Sequence, residues 1–289
     1  MHVNRVNAGQ IELQVQEYER AADVIIFLHF SAANLTMWQK AVSYFEDRYH
    51  LILVDLRGHG KSGTPLVGYH MDDMARDVVG LMDRFRLERA HIVGSSLGAE
   101  VGLNLAAGYP ERVISLVCDG ALASEFGPYG TWESDLAGFE AHVEHQLERM
   151  HNTPETIYPS VEALVENSRK SLEPMGWWNG DVEAMERYGA IELDEGGYVK
   201  SFRKFAREEY MRHYFHYRLE DYYRRVQCPL LMLPGADVLE NAREQAALEG
   251  LCQLAPGARI ADIIGWQHPY GWMLDPAKAC RVILEFLDL

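Results

Sequence analysis

The stretch HIVGSSLGAEVGLNL at residues 91–105 sets two adjacent serines, Ser95 and Ser96, between glycines. The apolar Ile92-Val93 before them reads as the end of a buried strand. Leu97, Val101 and Leu105, at four-residue spacing, read as a helix that ends before Pro110. The serines therefore occupy a strand-to-helix turn. A nucleophile presented on so sharp a turn has a strained backbone, with strand and helix crowded on either side, so the residues two before and two after it must be small. Around Ser96 these are Gly94 and Gly98; around Ser95 they are Val93 and Leu97, whose side chains would collide. The spacing selects Ser96. Alone it does not establish catalysis, because a glycine- and serine-rich turn is also an ordinary strand-to-helix connection.

A nucleophilic serine needs a base, and the base needs an acid to orient it. His268, in GWQHPYGWMLDP, follows the last strand-like run, and Asp237, in LPGADVLE, follows the run before it. Both fall where strands end, the edge that holds sites in open α/β sheets. The order Ser96, Asp237, His268, with separations of 141 and 31 residues, is the serine–acid–histidine order expected with a G-x-S-x-G turn.

The elements that must position these groups are legible as short apolar runs alternating with amphipathic stretches. DVIIFLHF (23–30), HLILVDLRG (50–58), AHIVGS (90–95) and RVISLVCDG (112–120) read as strands, the first two as buried on both faces. Residues 35–48 and 71–87 have helical periodicity, the latter through Met74, Val78, Leu81 and Phe85. The alternation argues for a parallel α/β sheet. It stops near Ser124, residues 124–225 showing no convincing buried strand, and returns with CPLLMLPGADV (228–238), ARIADIIG (258–265) and a closing helix carrying Cys280, Ile283, Leu284 and Leu287 on one face.

These features together resemble the α/β-hydrolase superfamily: LHFSAAN (28–34) at the oxyanion loop, DLRGHGKSG (55–63) after the next strand, GSSLG (94–98), PGAD (234–237) and a late histidine before a helix. The resemblance covers nearly the whole chain outside 124–225. It implies a mostly parallel central sheet flanked by helices, a core of residues 1–123 and 226–289, and a helical cap at 124–225. It implies that Ser96 attacks a carbonyl, that His268 is general base and acid, and that Asp237 orients the imidazole. It further implies that the Leu97 N–H donates to the oxyanion with a second N–H from the 29–31 loop, Ser31 being favoured over Phe30. The chain departs from the family where His29-Phe30 stands in place of the usual His-Gly, and where Pro234 stands where glycine often precedes the acid. Some members take their acid from the position of Asp119, which otherwise reads as a strand-terminal turn residue. His29 and His59 read as structural, and Ser95 as packing.

The 102 residues of 124–225 hold 17 of the chain's 31 aromatic residues, an enrichment that in a cap would suit an apolar or ring-containing substrate. Trp177 and Trp178 are adjacent and cannot share one helical face, so one of the pair is expected to line the pocket. Most of the other aromatics read as the insertion's own core. Residues 200–225 carry eight Lys or Arg against four Asp or Glu, a run that could meet a substrate carboxylate but reads first as a solvated helix face with Arg203 and Arg207 one turn apart.

The 289 residues carry a net charge of −16 with 48% hydrophobic and 24% charged residues, a globular composition that repels nucleic acid. No apolar run reaches the length of a membrane span, and MHVNRVNAGQ lacks a signal-peptide core, so a cytoplasmic location is expected. Cys118, Cys228, Cys252 and Cys280 form no C-x-x-C pair and read as free thiols; neither a metal nor a cofactor is expected. The leading expectation is a serine hydrolase of a small carboxylic ester or lactone. A C–C bond hydrolase of a diketone and a non-catalytic small-molecule receptor are the alternatives. Halide or epoxide chemistry is disfavoured, because it needs a carboxylate where Ser96 stands.

Overall fold

The structure, a computed structural model, describes residues 1–288. Ten strands form: β1 (His2–Asn7), β2 (Glu12–Tyr18), β3 (Val24–Leu28), β4 (His50–Val54), β5 (Ala90–Ser95), β6 (Val113–Asp119), β7 (Ala190–Glu192), β8 (Tyr198–Lys200), β9 (Leu230–Met232) and β10 (Ala258–Ile260). Eight of them make one sheet in the order β1-β2-β4-β3-β5-β6-β9-β10. β2 pairs antiparallel with β1 and β4; every pairing from β4 to β10 is parallel.

Parallel strands are covered by helices on both faces, so their residues are apolar on both sides. In β3 all five residues are buried. Ile26 and Leu28 join a core with Val78, Leu81, Val101 and Leu105, while Ile25 and Phe27 join the opposite core with Trp38, Phe45, Trp272 and Ile283. The period-2 alternation of a strand thus divides one continuous apolar run between two cores. Each fully buried Leu, Ile or Phe contributes about 1.5–3 kcal/mol.

Two local readings are corrected and a third is refined. The helix expected over 35–48 is a tight turn, Leu35–Trp38, followed by a helix over only Gln39–Phe45. β9 is short because Pro229 and Pro234 bracket it and proline cannot donate to the ladder. Within 124–225, helices Leu136–Asn152, Val161–Leu172, Gly180–Tyr188, Lys204–Tyr214 and Leu219–Tyr223 are accompanied by a hairpin, β7-β8. Its turn contains Gly196 and Gly197, both at positive φ (90° and 88°). This segment lies between β6 and β9, outside the large sheet, and is tied to it by buried polar contacts. Tyr210 Oη donates to Glu100 (2.9 Å), Tyr223 Oη to the Ala121 carbonyl (2.7 Å) and Asn34 Nδ2 to the Met185 carbonyl (2.9 Å). Among the described residues no helix is long and apolar enough to cross a membrane. All four cysteines are free.

Candidate active site

β5 ends at Ser95, and Ser96 takes φ 48°, ψ −115° before the helix Leu97–Gly108 begins. A non-glycine residue in this region is strained and marks a functional turn. The flanking glycines are there for space: a Cβ at Gly94 would lie 2.3 Å from the Gly98 carbonyl oxygen, and one at Gly98 would lie 2.1 Å from that of Leu28. The turn therefore closes only with glycine at both positions, and Ser96 is its centre. Leu97 is the first helical residue, so its N–H has no acceptor within the helix.

The loop after β3 is fixed by His29. The Leu56 N–H donates to His29 Nε2 at 3.0 Å, which places the ring proton on Nδ1, and Nδ1–H donates to the Phe30 carbonyl at 2.8 Å. Burial pulls this imidazole down to about 4, so it stays neutral. The Ala33 N–H also donates to the Phe30 carbonyl, closing a turn over 30–33 with Ala32 at φ 65°. Phe30 is buried with its ring 5.4 Å from that of Tyr270; Ser31 is half-buried. His59 is buried between His29 and Phe202, as a structural histidine would be.

His268 is held from the acid side by Asp119, not by Asp237. Its Nδ1 lies 2.7 Å from Asp119 Oδ1. The register explains the exchange: β6 is the parallel neighbour of β5, and Asp119 stands opposite Ser95, at the level of the nucleophile turn. Asp237 belongs one strand farther out, beyond Pro234-Gly235, on the short helix Ala236–Glu240, where it is exposed and faces a cavity. Asp119 is fully buried and its two oxygens accept four bonds. Oδ1 takes His268 and Trp266 Nε1 (2.8 Å); Oδ2 takes Ser95 Oγ (2.7 Å) and Trp272 Nε1 (2.6 Å). Ser95 is thus a bonding partner rather than packing alone.

Burial by itself would raise the Asp119 carboxyl. The His268 charge and hydrogen bond, with the bonds from Trp266 and Ser95, outweigh burial and hold it below the usual carboxylate range. For His268 burial favours the neutral ring, but the Asp119 charge and hydrogen bond more than offset it and raise the imidazole above its ordinary value. The signals that could have pointed to Asp119 are in the sequence: an aspartate closing the strand next to the nucleophile, and two indole donors, Trp266 and Trp272, flanking His268.

Ser96 and His268 both border Gly120. A Cβ there would lie 2.8 Å from Ser96 Cα and 3.2 Å from His268 Cε1. Both residues line a cavity of about 320 Å³, walled also by Glu100, Glu125, Tyr214, Tyr217, Asp237 and Glu244. Neither Trp177 nor Trp178 is in that wall. Trp177 stacks on Tyr270, ring centroids 4.9 Å apart, and both tryptophans pack against the core cluster that contains Trp38 and Trp272. The adjacent pair is spent on anchoring the insertion to the sheet, so the expectation that one lines the pocket is not met. Trp177→Ala is expected to cost about 2 kcal/mol, less than a fully buried tryptophan because the ring is half-buried. It should leave the ranking of ester substrates unchanged. Thermal melts run beside kinetics on an ester series check this, and a reordered series would contradict it. The basic run 200–225 is also absent from the cavity wall: Arg203 pairs with Glu155 (2.7 Å), Lys200 with Glu186 (2.9 Å) and Lys204 with Glu208. Among the described residues no cluster suited to a metal ion occurs.

The fold and the elbow define the class. The sequence profile of the α/β hydrolase fold family matches residues 23–237, and the chain belongs to that family. It is an enzyme of the hydrolase type, as its named relatives are. It is 37% identical over 292 residues, 98% of this chain and 94% of the relative, to 2-(acetamidomethylene)succinate hydrolase of Mesorhizobium japonicum. It is 36% identical over 110 residues, 38% of this chain and 41% of the relative, to 3-oxoadipate enol-lactonase 2 of Acinetobacter baylyi. The crystal structure of an E-2-(acetamidomethylene)succinate hydrolase superposes with a TM-score of 0.78 at 26% identity, covering 100% of this chain and 99% of that one.

Proposed function

We propose that this hydrolase cleaves a small carboxylic ester or lactone through an acyl-enzyme on Ser96, with His268 as base and acid and Asp119 as the orienting carboxylate. The observation that carries the reading is the Asp119–His268 bond beside a serine held at φ 48°. With Nδ1 facing Asp119, that nitrogen holds the proton and Nε2 is the basic nitrogen. Ser96 Oγ attacks the carbonyl carbon as its proton passes to Nε2. The oxyanion is met by the Leu97 N–H and an N–H of the Phe30–Ser31 turn. Collapse breaks the bond to the alkoxide, which leaves with the proton from Nε2. Water then attacks the acyl carbon, giving its proton to Nε2, and the carboxylic acid departs as Ser96 recovers its proton.

Residues 124–225 act in this reading as the lid that roofs the cavity, contributing Glu125, Tyr214 and Tyr217 to its wall. The case for an apolar substrate rested on Trp177 or Trp178 facing the cavity and has lost that support. The succinate named for one relative is a dicarboxylate, whereas the cavity here is walled by carboxylates, which argues for a different substrate. A panel of p-nitrophenyl esters of increasing acyl length, read with covalent labelling by a serine-directed phosphonate, tests the proposal. Turnover with the label on Ser96 is the expected result; a label on Ser95, or no turnover and no label, would sink it.

A further inference from the structure

The Ser96 cavity has an unusual electrostatic wall. Four acidic residues line it from separate elements: Glu100 from the helix Leu97–Gly108, Glu125 from the loop after β6, Asp237 from the helix Ala236–Glu240 and Glu244 from the helix Ala242–Leu254. Among the described residues no Lys or Arg lines it, and His268 is the one lining group that can carry positive charge. Arg243, next to Glu244 in the chain, is not among the lining residues and is engaged by backbone carbonyls, its Nε donating to that of Gly130 (2.9 Å) and its Nη2 to that of Trp132.

Glu100 is the telling member. It lies one helical turn beyond Ser96, so the 3.6-residue period brings its side chain to the same mouth. It is 4% exposed, yet both its oxygens share a single donor, the Tyr210 hydroxyl, at 2.9 and 3.1 Å. A carboxylate can accept about four hydrogen bonds, so most of the acceptor capacity of this cavity-lining residue is unused by side-chain donors. Structural buried carboxylates in this protein are treated otherwise: Asp119 has four donors, and Asp77 has the Arg57 guanidinium at 2.6 Å. Burial raises the Glu100 carboxyl to about 8, the Tyr210 bond opposes this and the Glu125 charge adds to it. That is the state of an acid with no cation beside it. Tyr214 and Tyr217 are also in the wall, and aromatic rings are compatible with a bound cation.

We propose that the cavity selects substrates bearing a positive charge, an ester or lactone with a protonated or quaternary amine near the scissile carbonyl, and that Glu100 is the residue that determines this preference. The proposal rests on Ser96 being the nucleophile. Positive charge brought next to Glu100 favours its ionised form and satisfies acceptor capacity that the protein leaves unused, whereas a carboxylate-bearing substrate has to approach the acidic side chains of Glu125, Asp237 and Glu244.

Three p-nitrophenyl esters of similar size separate charge from shape: 4-(trimethylammonio)butyrate, the neutral 5,5-dimethylhexanoate and the monoester of glutarate. The quaternary amine cannot cyclise onto its own ester. For the unaltered protein, kcat/KM is expected to be at least about tenfold higher for the cationic than for the neutral ester, and about a thousandfold higher than for the anionic one. Glu100→Gln, which keeps the shape and the Tyr210 contact, should reduce the cationic-to-neutral ratio by about tenfold. Equal kcat/KM for the three esters, with turnover that still depends on Ser96, would overturn the charge preference and leave the hydrolase reading standing. A preference that survives undiminished in Glu100→Gln but vanishes in Glu125→Gln would overturn the assignment to Glu100. No turnover of any ester, with no phosphonate label on Ser96, would overturn the hydrolase reading and this inference with it.

Discussion

Ser96→Ala is expected to lower ester turnover by about 10⁵–10⁶-fold, the scale of removing the nucleophile from a serine–histidine–carboxylate site. The substitution keeps the Cβ and removes only Oγ, so the elbow should close as before over Gly94 and Gly98. What rate remains comes from the oxyanion donors and substrate binding, which do not depend on Oγ. The variant should lose phosphonate labelling completely. Ser96→Gly separates catalysis from stability. At φ 48°, ψ −115° serine stores strain on the order of 1–3 kcal/mol, and glycine relieves it. That variant should therefore melt at a higher temperature than the parent while being as inactive as the alanine variant. A melting temperature no higher than the parent's would show that the elbow is not strained. Retained activity in either variant would remove Ser96 from the mechanism.

The parts of the site that sequence exposes are those where one residue type is forced by local geometry. Ser96 was legible because the two glycines around it have no alternative: a Cβ at either would run into backbone. β5 was legible to the residue, AHIVGS, because a strand buried on both faces is a continuous apolar run closed by a turn. The hairpin β1-β2 was not, because it lies at the sheet's edge and has a single buried residue in its first strand, leaving no apolar run to see. Asp119 and Asp237 each follow a strand, and spacing along the chain does not rank them. What ranks them is which strand lies beside β5, and that is a property of the sheet order. Trp177 and Trp178 were misread for a related reason: composition shows that a segment is aromatic, but only packing shows whether a ring faces a cavity or a neighbouring ring. The acidic wall escaped notice because its four members are scattered from residue 100 to residue 244 and converge only in the fold.

Asp119→Asn is expected to reduce turnover by about 10⁴-fold, whereas Asp237→Asn should change it by no more than about tenfold. An asparagine amide can present its NH2 to His268 Nδ1, which forces the ring proton onto Nε2 and leaves no base beside Ser96. Asp237 makes no such contact and acts on His268 only through its charge. The pH profile supplies a second, independent reading. The Asp119 charge and hydrogen bond hold the His268 imidazole above its ordinary value, so in the parent the base is lost as pH falls through that raised value. Removing the charge lowers the imidazole, so the acid limb of the remaining activity in Asp119→Asn should move to lower pH. Asp237→Asn should move it in the same direction by less, since its charge is the smaller of the two contributions. Stability must be measured alongside, because Trp266, Trp272 and Ser95 also donate to the Asp119 oxygens and an amide leaves some of these buried donors without an acceptor, at about 1–3 kcal/mol each. Asp119→Asn should therefore melt lower than the parent yet bind the phosphonate poorly even at temperatures where it is fully folded. If Asp237→Asn instead suffers the large loss while Asp119→Asn stays active, the orienting acid is the one that chain order suggested, and Asp119 serves only to anchor the two indoles.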